Sequence, residues 1–340
     1  MRKIVAFVGA IAVIGGTATA FAAAPEFPDL IAFDRDAGEF PEGVAVDKMG
    51  NVLVGFDSPR GEVRKFTPTG EESLLIDFGN PGVLGLAVDA VGNVYAARQV
   101  QPNNGVYKVD EDGNAILVPG TDAIVFPNSL AFDNQGNLYI TETFSFDPPL
   151  TSFGNCGDFG LGGIWKVPKG GDAELFLRHD LLTGLCISNP PIPFPIGANG
   201  IAFRHGELFV VNTEKAIVVR VPIDARGEAG EPETVATVPD IIPPQPFVPE
   251  LDGLALDVHG NMYVPVITQS RIVKISADGS TIETVATDAD GLDFPASLAF
   301  GTGRGERQSL FVTNFAIGPP GGAGPGLVKM DVGEPGQPVP

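Results

Sequence analysis

The chain has few basic side chains for its length. Its 340 residues include 21 Lys and Arg against 42 Asp and Glu, so the formal net charge is −21. A charge of this sign repels phosphate backbones and anionic lipid surfaces, which argues against nucleic acid and membrane partners and favours cations. Hydrophobic residues make up 44 % of the chain and charged residues 19 %, a composition that fits a folded domain and not a disordered one.

Long apolar runs are missing from the sequence after its N-terminus. The first residues combine a basic pair, Arg2 and Lys3, with an apolar run over residues 4–14 and the small-residue sequence Ala20-Phe21-Ala22. This is the layout of a secretory signal peptide, and the run is short for a membrane span. We therefore expect a signal peptide at residues 1–22 and a periplasmic or extracellular protein. An uncleaved N-terminal anchor is the alternative.

One phrase recurs six times along the chain. It consists of a turn, a small residue, an apolar segment similar to LAVD, a Gly-Asn turn and an apolar segment similar to LYV. The copies begin at Pro41, Val83, Pro127, Ala198, Leu251 and Pro295. The apolar residues alternate with the period of two that is typical of strands, and the turn between them is typical of a hairpin. A third apolar segment follows in each copy, and most copies have a fourth.

Four strands per repeat, at roughly 40–50 residues per repeat, are typical of β-propeller blades. We predict an all-β fold, a six-bladed β-propeller of four-stranded antiparallel blades, as one domain over residues 23–340 with its core at 29–332. The sixth copy ends at its third strand and is followed by a Gly/Pro-rich tail. A spare strand that starts at Asp29 can supply the missing outer strand and close the ring, so that no sheet edge stays open there.

The third repeat is longer than the others because it carries two insertions, at residues 146–162 and 181–195. Each insertion contains one of the two cysteines, Cys156 and Cys186. In an oxidising compartment a disulfide between them would tie the insertions together and contribute about 2–4 kcal/mol to stability. We expect this pairing, and two free buried thiols are the alternative. Long insertions of this kind often cover or gate a site.

The residue before the small residue of each copy is expected to point into the central channel, where the entry loops crowd around the axis. Around the ring this position contains Glu42, Gly85, Asn128, Asn199, Asp252 and Ala296. Four of the six offer a carboxylate or amide oxygen, a set that suits Ca²⁺ or another hard divalent cation. The alternative is turn chemistry, since Asn and Asp are common in turns. Turn chemistry does not explain a Glu in the same register.

These openings resemble a known family. The sequences E-G-x-A-x-D at Glu42, N-S-L-A-F-D at Asn128, N-G-I-A-F at Asn199 and D-G-L-A-L-D at Asp252 look like the senescence-marker-protein/regucalcin/gluconolactonase group. The pattern is also similar to diisopropylfluorophosphatase-type phosphotriesterases. The resemblance implies a six-bladed propeller with a divalent ion, usually calcium, in its channel, and hydrolysis of lactones or related esters. It implies these four residues as metal ligands, with Asp252 as the catalytic base or nucleophile.

The chain departs from the family at two points. Phe126 and Pro127 stand where gluconolactonases carry an Arg that grips a polyol, so a sugar lactone is not favoured as substrate. The second departure is that the three histidines, His179, His205 and His259, form no catalytic pair and are expected in solvated turns.

Two further groups of residues bear on a substrate pocket. Arg98, Glu142 and Asn212 follow the second strands of their repeats, where they either face the channel or stabilise the blade by hydrogen bonds. Aromatic residues in and beside the insertions indicate a less polar pocket, unless they only pack the loops. They are Phe144, Phe146, Phe153, Phe159 and Phe194.

The sequence therefore predicts a secreted, calcium-dependent hydrolase that acts as a monomer on small lactones or esters. The alternative is a non-catalytic scaffold, because NHL-type propellers share the repeat phrase and often bind proteins or ligands. Such a scaffold does not need four oxygen ligands in one register, so metal binding separates the two hypotheses. A third alternative is a structural metal ion that plugs the channel.

Overall fold

The computed structural model describes residues 26–80, 82–99, 103–145, 159–187, 194–239, 250–318 and 321–338. The predicted signal peptide and Cys156 lie outside these ranges. Within them the fold is all-β, with strands β1–β24 and a few three-residue 3-10 helices. None of these helices is long and apolar enough to cross a membrane.

The strands form six four-stranded antiparallel sheets, which are the blades of a propeller. Blade one contains β2 (Pro41–Val46), β3 (Val52–Phe56), β4 (Glu62–Phe66) and β5 (Glu72–Asp77). Blade two contains β6 (Val83–Val88), β7 (Val94–Arg98), β8 (Gly105–Val109) and β9 (Ala115–Leu117). Blade three contains β10 (Pro127–Phe132), β11 (Leu138–Glu142), β12 (Gly163–Val167) and β13 (Glu174–Arg178).

The second half of the ring repeats the arrangement. Blade four contains β14 (Ala198–Arg204), β15 (Glu207–Asn212), β16 (Ile217–Pro222) and β17 (Glu233–Thr237). Blade five contains β18 (Ala255–Leu256), β19 (Met262–Val266), β20 (Arg271–Ile275) and β21 (Ile282–Ala286). Blade six contains β22 (Pro295–Phe300), β23 (Ser309–Asn314), β24 (Gly326–Asp331) and, from the other end of the chain, β1 (Leu30–Ala32).

The ring closes through its N-terminal strand, and this confirms the prediction. β1 pairs antiparallel with β24, with Leu30 opposite Val328 and Ala32 opposite Gly326. The Phe27 ring packs edge-on against Phe311 of β23, with ring centroids 4.9 Å apart. The pairing covers the outer edge of β24, which would otherwise be open to pairing with another chain.

The core is divided among the interfaces between blades. One cluster of buried apolar residues occupies each of the six interfaces. Between blades six and one, for example, Val54, Phe56 and Phe66 pack with Phe311 and are fully or almost fully buried. Burial of a side chain of this size contributes about 1.5–3 kcal/mol. Each blade is therefore stabilised mainly by its two neighbours.

Each innermost strand carries a β-bulge at the same place. Between Pro41 and Val44 the pairing of β2 with β3 shifts by one residue, and the same shift occurs in β6, β10, β14 and β22. In blade five the Leu251–Val266 bridge and the Ala255–Tyr263 pair enclose the same extra residue. A bulge turns a side chain away from its regular direction and is common beside active sites.

The small residue of each repeat permits close contact between blades. A Cβ on Gly43 would lie 1.9 Å from the carbonyl oxygen of Leu84, and one on Gly200 would lie 2.5 Å from that of Asp252. These oxygens belong to the backbone of the next blade, so a larger side chain would force the inner strands apart. The glycines are therefore required by the packing of the ring.

The C-terminal tail covers one end of the channel. The backbone N–H of Gln337 donates to Leu256 O and its side-chain Nε2 donates to Phe203 O, both at 2.8 Å. Gln337 and Pro338 line a cavity of about 200 Å³ that is otherwise formed by the inner strands of the six blades. This contact gives the Gly/Pro-rich tail a place in the fold that the sequence pattern did not indicate.

Ring closure can be tested by truncation. A chain that begins at Asp34 lacks β1, Phe27 and Phe33, and we expect its melting temperature to fall by at least about 5 °C, since each lost kcal/mol costs about 2–4 °C in a domain of this size. A chain that begins at Glu26 is the control and should melt like the chain that begins at Ala23. Equal melting temperatures for the two truncations would show that β1 does not close the ring.

The predicted disulfide can be tested directly. Cys186 is not a free thiol, but Cys156 lies outside the described residues. Their pairing therefore stays a prediction. We expect a thiol-alkylating reagent to leave the denatured protein unlabelled until reductant is added, after which two labels appear in its intact mass. Labelling at both sites without reductant would contradict the pairing.

Candidate metal centre

The bulges place the four predicted ligands at equivalent positions of their inner strands. Glu42, Asn128, Asn199 and Asp252 are each the first residue of the bulge in their inner strand. All four are buried, with exposures between 6 % for the amides and 8 % for Asp252. The Asp252 charge acts on Glu42, and the Asn199 side chain hydrogen-bonds to Asp252. Glu42 and Asp252 are therefore close enough for their charges to interact, and Asn199 lies beside Asp252.

The structure corrects the predicted register in blade two. Val83 pairs with Arg98 and Leu86 with Ala96, just as Pro41 and Val44 pair in blade one. The position of Glu42 is therefore taken in blade two by Leu84 and not by Gly85. The sequence prediction was wrong by one residue because Gly85 is the small residue of its repeat, equivalent to Gly43.

Threonines orient the two amides. Asn128 Nδ2 donates to Thr143 Oγ1 at 3.2 Å, and Asn199 Nδ2 donates to Thr213 Oγ1 at 3.1 Å. Each threonine directly follows the second strand of its blade. Among the described residues nothing donates a hydrogen bond to Oδ1 of either amide. Both carbonyl oxygens therefore remain as acceptors for another group.

The two carboxylates are buried close together, and none of the described residues forms an ion pair with them. Burial raises the pKa of Glu42 well above its ordinary value, and the charges of Asp252 and Asp57 raise it further. Burial also raises the pKa of Asp252 to about 8, despite the opposing hydrogen bond from Asn199. No ion pair in the described part of the chain involves Glu42 or Asp252. Such a pair is costly unless a cation compensates it.

The donor set fits a hard cation. No group of three or more His, Cys, Asp or Glu side chains that could hold a metal ion occurs in the described ranges, so a cation at this position needs the amides as well as the carboxylates. Two carboxylates and two amide oxygens, with waters to complete the shell, are ligands that Ca²⁺ accepts at six to eight coordination. The lack of sulfur and imidazole argues against zinc or copper.

A second polar pair lies beside the predicted ligands. Gln99 Nε2 donates to Asp57 Oδ1 at 2.9 Å, and burial raises the pKa of Asp57. Asp57 and Gln99 directly follow the second strands of blades one and two, the position that Thr143 and Thr213 occupy in their blades. The signal for this pair was present in the sequence as the residue after each second strand.

Glu142 lies inside its blade. It is fully buried, accepts hydrogen bonds from Val125 N at 2.7 Å and Trp165 Nε1 at 2.9 Å, and pairs with Arg178 at 2.7 Å. These bonds stabilise blade three, which is the alternative that the sequence left open for this residue.

Arg98 and Asn212 are also engaged within the fold. The Arg98 guanidinium lies 4.7 Å from the ring centre of Phe78, and Asn212 Nδ2 donates to Leu181 O at 2.9 Å and to Thr183 O at 3.0 Å. Both residues end a second strand, one position before Gln99 and Thr213 respectively. A contact of Arg98, Glu142 or Asn212 with substrate stays a prediction.

Part of the chain that contains the candidate site matches the sequence model of a protein family. The model described as the SMP-30/Gluconolactonase/LRE-like region matches residues 195–316. The predicted resemblance to this family is confirmed. The matched segment contains two of the predicted ligands, Asn199 and Asp252, while Glu42 and Asn128 precede it. Among curated proteins no relative matches the chain.

Solved structures share the fold over most of the chain. Regucalcin from Agrobacterium tumefaciens, a calcium-binding protein, is 18 % identical with a TM-score of 0.65, covering 94 % of this chain and 99 % of that one. A luciferin-regenerating enzyme is 16 % identical with a TM-score of 0.65, covering 90 % and 96 %. A gluconolactonase from Xanthomonas campestris is 18 % identical with a TM-score of 0.59, covering 88 % and 87 %. At these identities the similarity shows a shared propeller fold.

The buried carboxylates predict a pH-dependent stability. The pKa of Asp252 rises from 3.8 to about 8 on folding, so between these values the folded protein keeps a proton that the unfolded chain releases. The free energy of unfolding of metal-free protein should therefore fall as the pH rises from about 4 to 8. We expect the melting temperature in chelator to fall over this range, and calcium to reduce the fall.

The Asp252→Asn variant is the control for this measurement, because an amide does not titrate. Its melting temperature in chelator should depend less on pH than that of the wild type. An identical pH dependence in both proteins would show that Asp252 is not the titrating group.

Proposed function

We propose that this protein is a calcium-dependent hydrolase of lactones or related esters. The observation that carries the proposal is a pair of buried carboxylates, Glu42 and Asp252, whose charges act on each other without a positive partner among the described residues, with Asn128 and Asn199 at the equivalent bulge positions of their blades. The resemblance to the SMP-30/gluconolactonase/LRE-like family supports a lactonase-type reaction. The calcium-binding regucalcin with the same fold supports calcium as the cation.

Each residue has a distinct part in this proposal. Glu42, Asn128, Asn199 and Asp252 would hold the cation, and Thr143 and Thr213 would orient the two amides by accepting hydrogen bonds from their Nδ2 atoms. A bound divalent cation polarises an ester carbonyl and stabilises the negative charge that develops on its oxygen.

Asp252 is the proposed catalytic residue. As a carboxylate it can accept the proton of an attacking water or attack the carbonyl carbon directly. The Asn199 side chain lies beside Asp252 and favours its charged form, because its hydrogen bond lowers the pKa of this carboxyl group. Asp252 also has Glu250 nearby, whose charge opposes ionisation in the absence of a cation.

We further propose that the protein acts as a monomer outside the cytoplasm, on small molecules and not on nucleic acid or membranes. This proposal depends on the signal-peptide pattern at residues 1–22 and on the net charge of −21.

Calcium binding tests the proposal first. In titration calorimetry the wild type should bind one calcium ion in the channel, and Glu42→Gln should weaken binding by at least about tenfold, since even outer-shell changes cost 10–100-fold in metal sites. Asp257→Asn is the matched control, because Asp257 is a buried carboxylate that accepts hydrogen bonds from its own turn. Wild-type protein without any bound calcium would favour the scaffold hypothesis.

Turnover tests the reaction itself. With calcium present, the wild type should hydrolyse members of a panel of lactones, aryl esters and phosphotriesters, and chelator should stop the reaction. Asp252→Ala should lower kcat by at least about 100-fold, the usual size of a general-base contribution. Full turnover in Asp252→Ala would remove this residue from the mechanism, and calcium binding without turnover of any substrate would indicate a structural ion.

A further inference from the structure

Four phenylalanines pack together where the insertions meet the propeller. The rings of Phe126 and Phe144 lie 4.8 Å apart, and Phe194 lies 5.6 Å from Phe126 and 5.0 Å from Phe144. Phe159 packs edge-on against Phe144 at 5.0 Å. We call these four residues the aromatic cluster. Phe144 is buried, while the other three keep part of their surface exposed, so the cluster presents an apolar surface.

The aromatic cluster is joined directly to the candidate metal centre. Phe126 lies two residues before the predicted ligand Asn128, and Phe144 directly follows Thr143, which accepts the hydrogen bond from the Asn128 amide. The backbone N–H of Thr143 donates to Phe126 O at 3.1 Å. The two phenylalanines therefore stand at the end of blade three that carries the ligand.

One buried carboxylate binds backbone groups on both sides of Phe194 in the chain. Glu214 is 1 % exposed and directly follows Thr213, the partner of Asn199. It accepts hydrogen bonds from the backbone N–H groups of Leu185 at 2.5 Å, Cys186 at 2.7 Å, Ile187 at 2.9 Å and Ile196 at 3.1 Å. Bonds from N–H groups to a carboxylate are stronger than bonds between neutral groups. Glu214 therefore fixes the backbone of Ile196, two residues after Phe194, as well as that of residues 185–187.

The backbone at Cys186, next to this group of bonds, has an unusual conformation. Cys186 has a φ of 57°, a left-handed value that a residue other than glycine adopts only when its surroundings determine it. Its N–H is one of the four groups bound by Glu214. The backbone at Cys186 is thus held in one conformation.

We propose that the aromatic cluster binds an aromatic or bulky apolar group of the substrate, and that Glu214 is the positioning residue that keeps Phe194 in the cluster. This inference rests on the proposed function and specifies its substrate class. An aromatic group gains from leaving water and from edge-on or offset contact with the rings. Phenylalanine rings offer no hydrogen-bond partner to the hydroxyl groups of a polyol, so a sugar lactone would lose water contacts there without replacement.

A matched pair of lactones measures this preference. γ-Phenyl-γ-butyrolactone and γ-methyl-γ-butyrolactone have the same ring and differ only in the apolar group. In the presence of calcium, kcat/KM should be at least about tenfold higher for the phenyl compound, within the range that hydrophobic pockets achieve. D-Glucono-δ-lactone should be a poorer substrate than either. Equal kcat/KM for the phenyl and methyl compounds would overturn the proposal.

Two variants assign the preference to the cluster. Phe194→Ala should raise KM for the phenyl lactone by about tenfold. Its kcat, its KM for the methyl lactone and its affinity for calcium should stay almost unchanged. Glu214→Gln should change these quantities in the same way, because it removes the charge that keeps Phe194 in the aromatic cluster. Phe176→Ala is the matched control. Phe176 lies in the outer strand of blade three, and its half-buried ring packs on Tyr139. An equal loss on both lactones in Phe194→Ala would show a merely structural role and contradict the proposal.

A binding measurement separates this inference from the proposed function. γ-Phenyl-γ-butyrolactam has the same shape as the phenyl lactone and is far more resistant to hydrolysis, and its binding can be followed by calorimetry. We expect Phe194→Ala, but not Phe176→Ala, to weaken its binding by about tenfold. If the wild type hydrolyses no lactone but binds the lactam through Phe194, the proposed function fails and the aromatic cluster stands. If it hydrolyses lactones while Phe194→Ala binds the lactam normally, the cluster proposal fails alone.

Discussion

The close approach of the six inner strands is the constraint on which the candidate site depends. At Gly43 and Gly200 the backbone of one blade leaves no room for a Cβ beside the carbonyl of the next. Where the small residue is a serine, a threonine joins the blades instead, and Thr141 Oγ1 donates to Asn199 O at 2.7 Å. The bulge at this level offers one side chain per blade as a candidate ligand, and the residues after the second strands, such as Asp57 and Gln99, add to the polar groups beside them.

The charges of the side chains at these six positions determine what the channel can bind. Leu84 and Ala296 contribute no charge, while Glu42 and Asp252 place two carboxylates in a buried space. Burying an ionised group costs several kcal/mol of free energy. The two carboxyl groups are therefore either protonated or neutralised by a bound cation. The net charge of −21 is a property of the whole chain, whereas the pair in the channel is a local arrangement that a single divalent ion can neutralise.

The fold was predictable from the sequence because its signal is repeated. Six copies of one strand pattern and a spare N-terminal strand predict both the number of blades and the closure of the ring, and neither depends on a single residue. The contact of Gln337 with the channel mouth could not be predicted. The tail does not contain the repeated phrase, so its residues cannot be aligned with positions in the blades.

The site was predictable only to within one residue. Gly85 was placed at the position that Leu84 occupies, because the motif aligns on its small residue and the bulge is invisible in a single sequence. The same displacement separates Arg98, which packs on the ring of Phe78, from Gln99, which bonds to Asp57 beside the predicted ligands. In strands a shift of one residue reverses the side on which a side chain lies, so the hydrogen-bonding register was needed to tell these neighbours apart.

The central claim is that Glu42, Asn128, Asn199 and Asp252 together hold one divalent cation. A crystal structure of the protein grown with calcium, with anomalous scattering recorded at long wavelength, tests it most directly. We predict a single anomalous peak in the channel, about 2.3–2.6 Å from an oxygen of each of the four side chains. A channel without such a peak, or calcium bound only to surface carboxylates such as Asp278, would contradict the account.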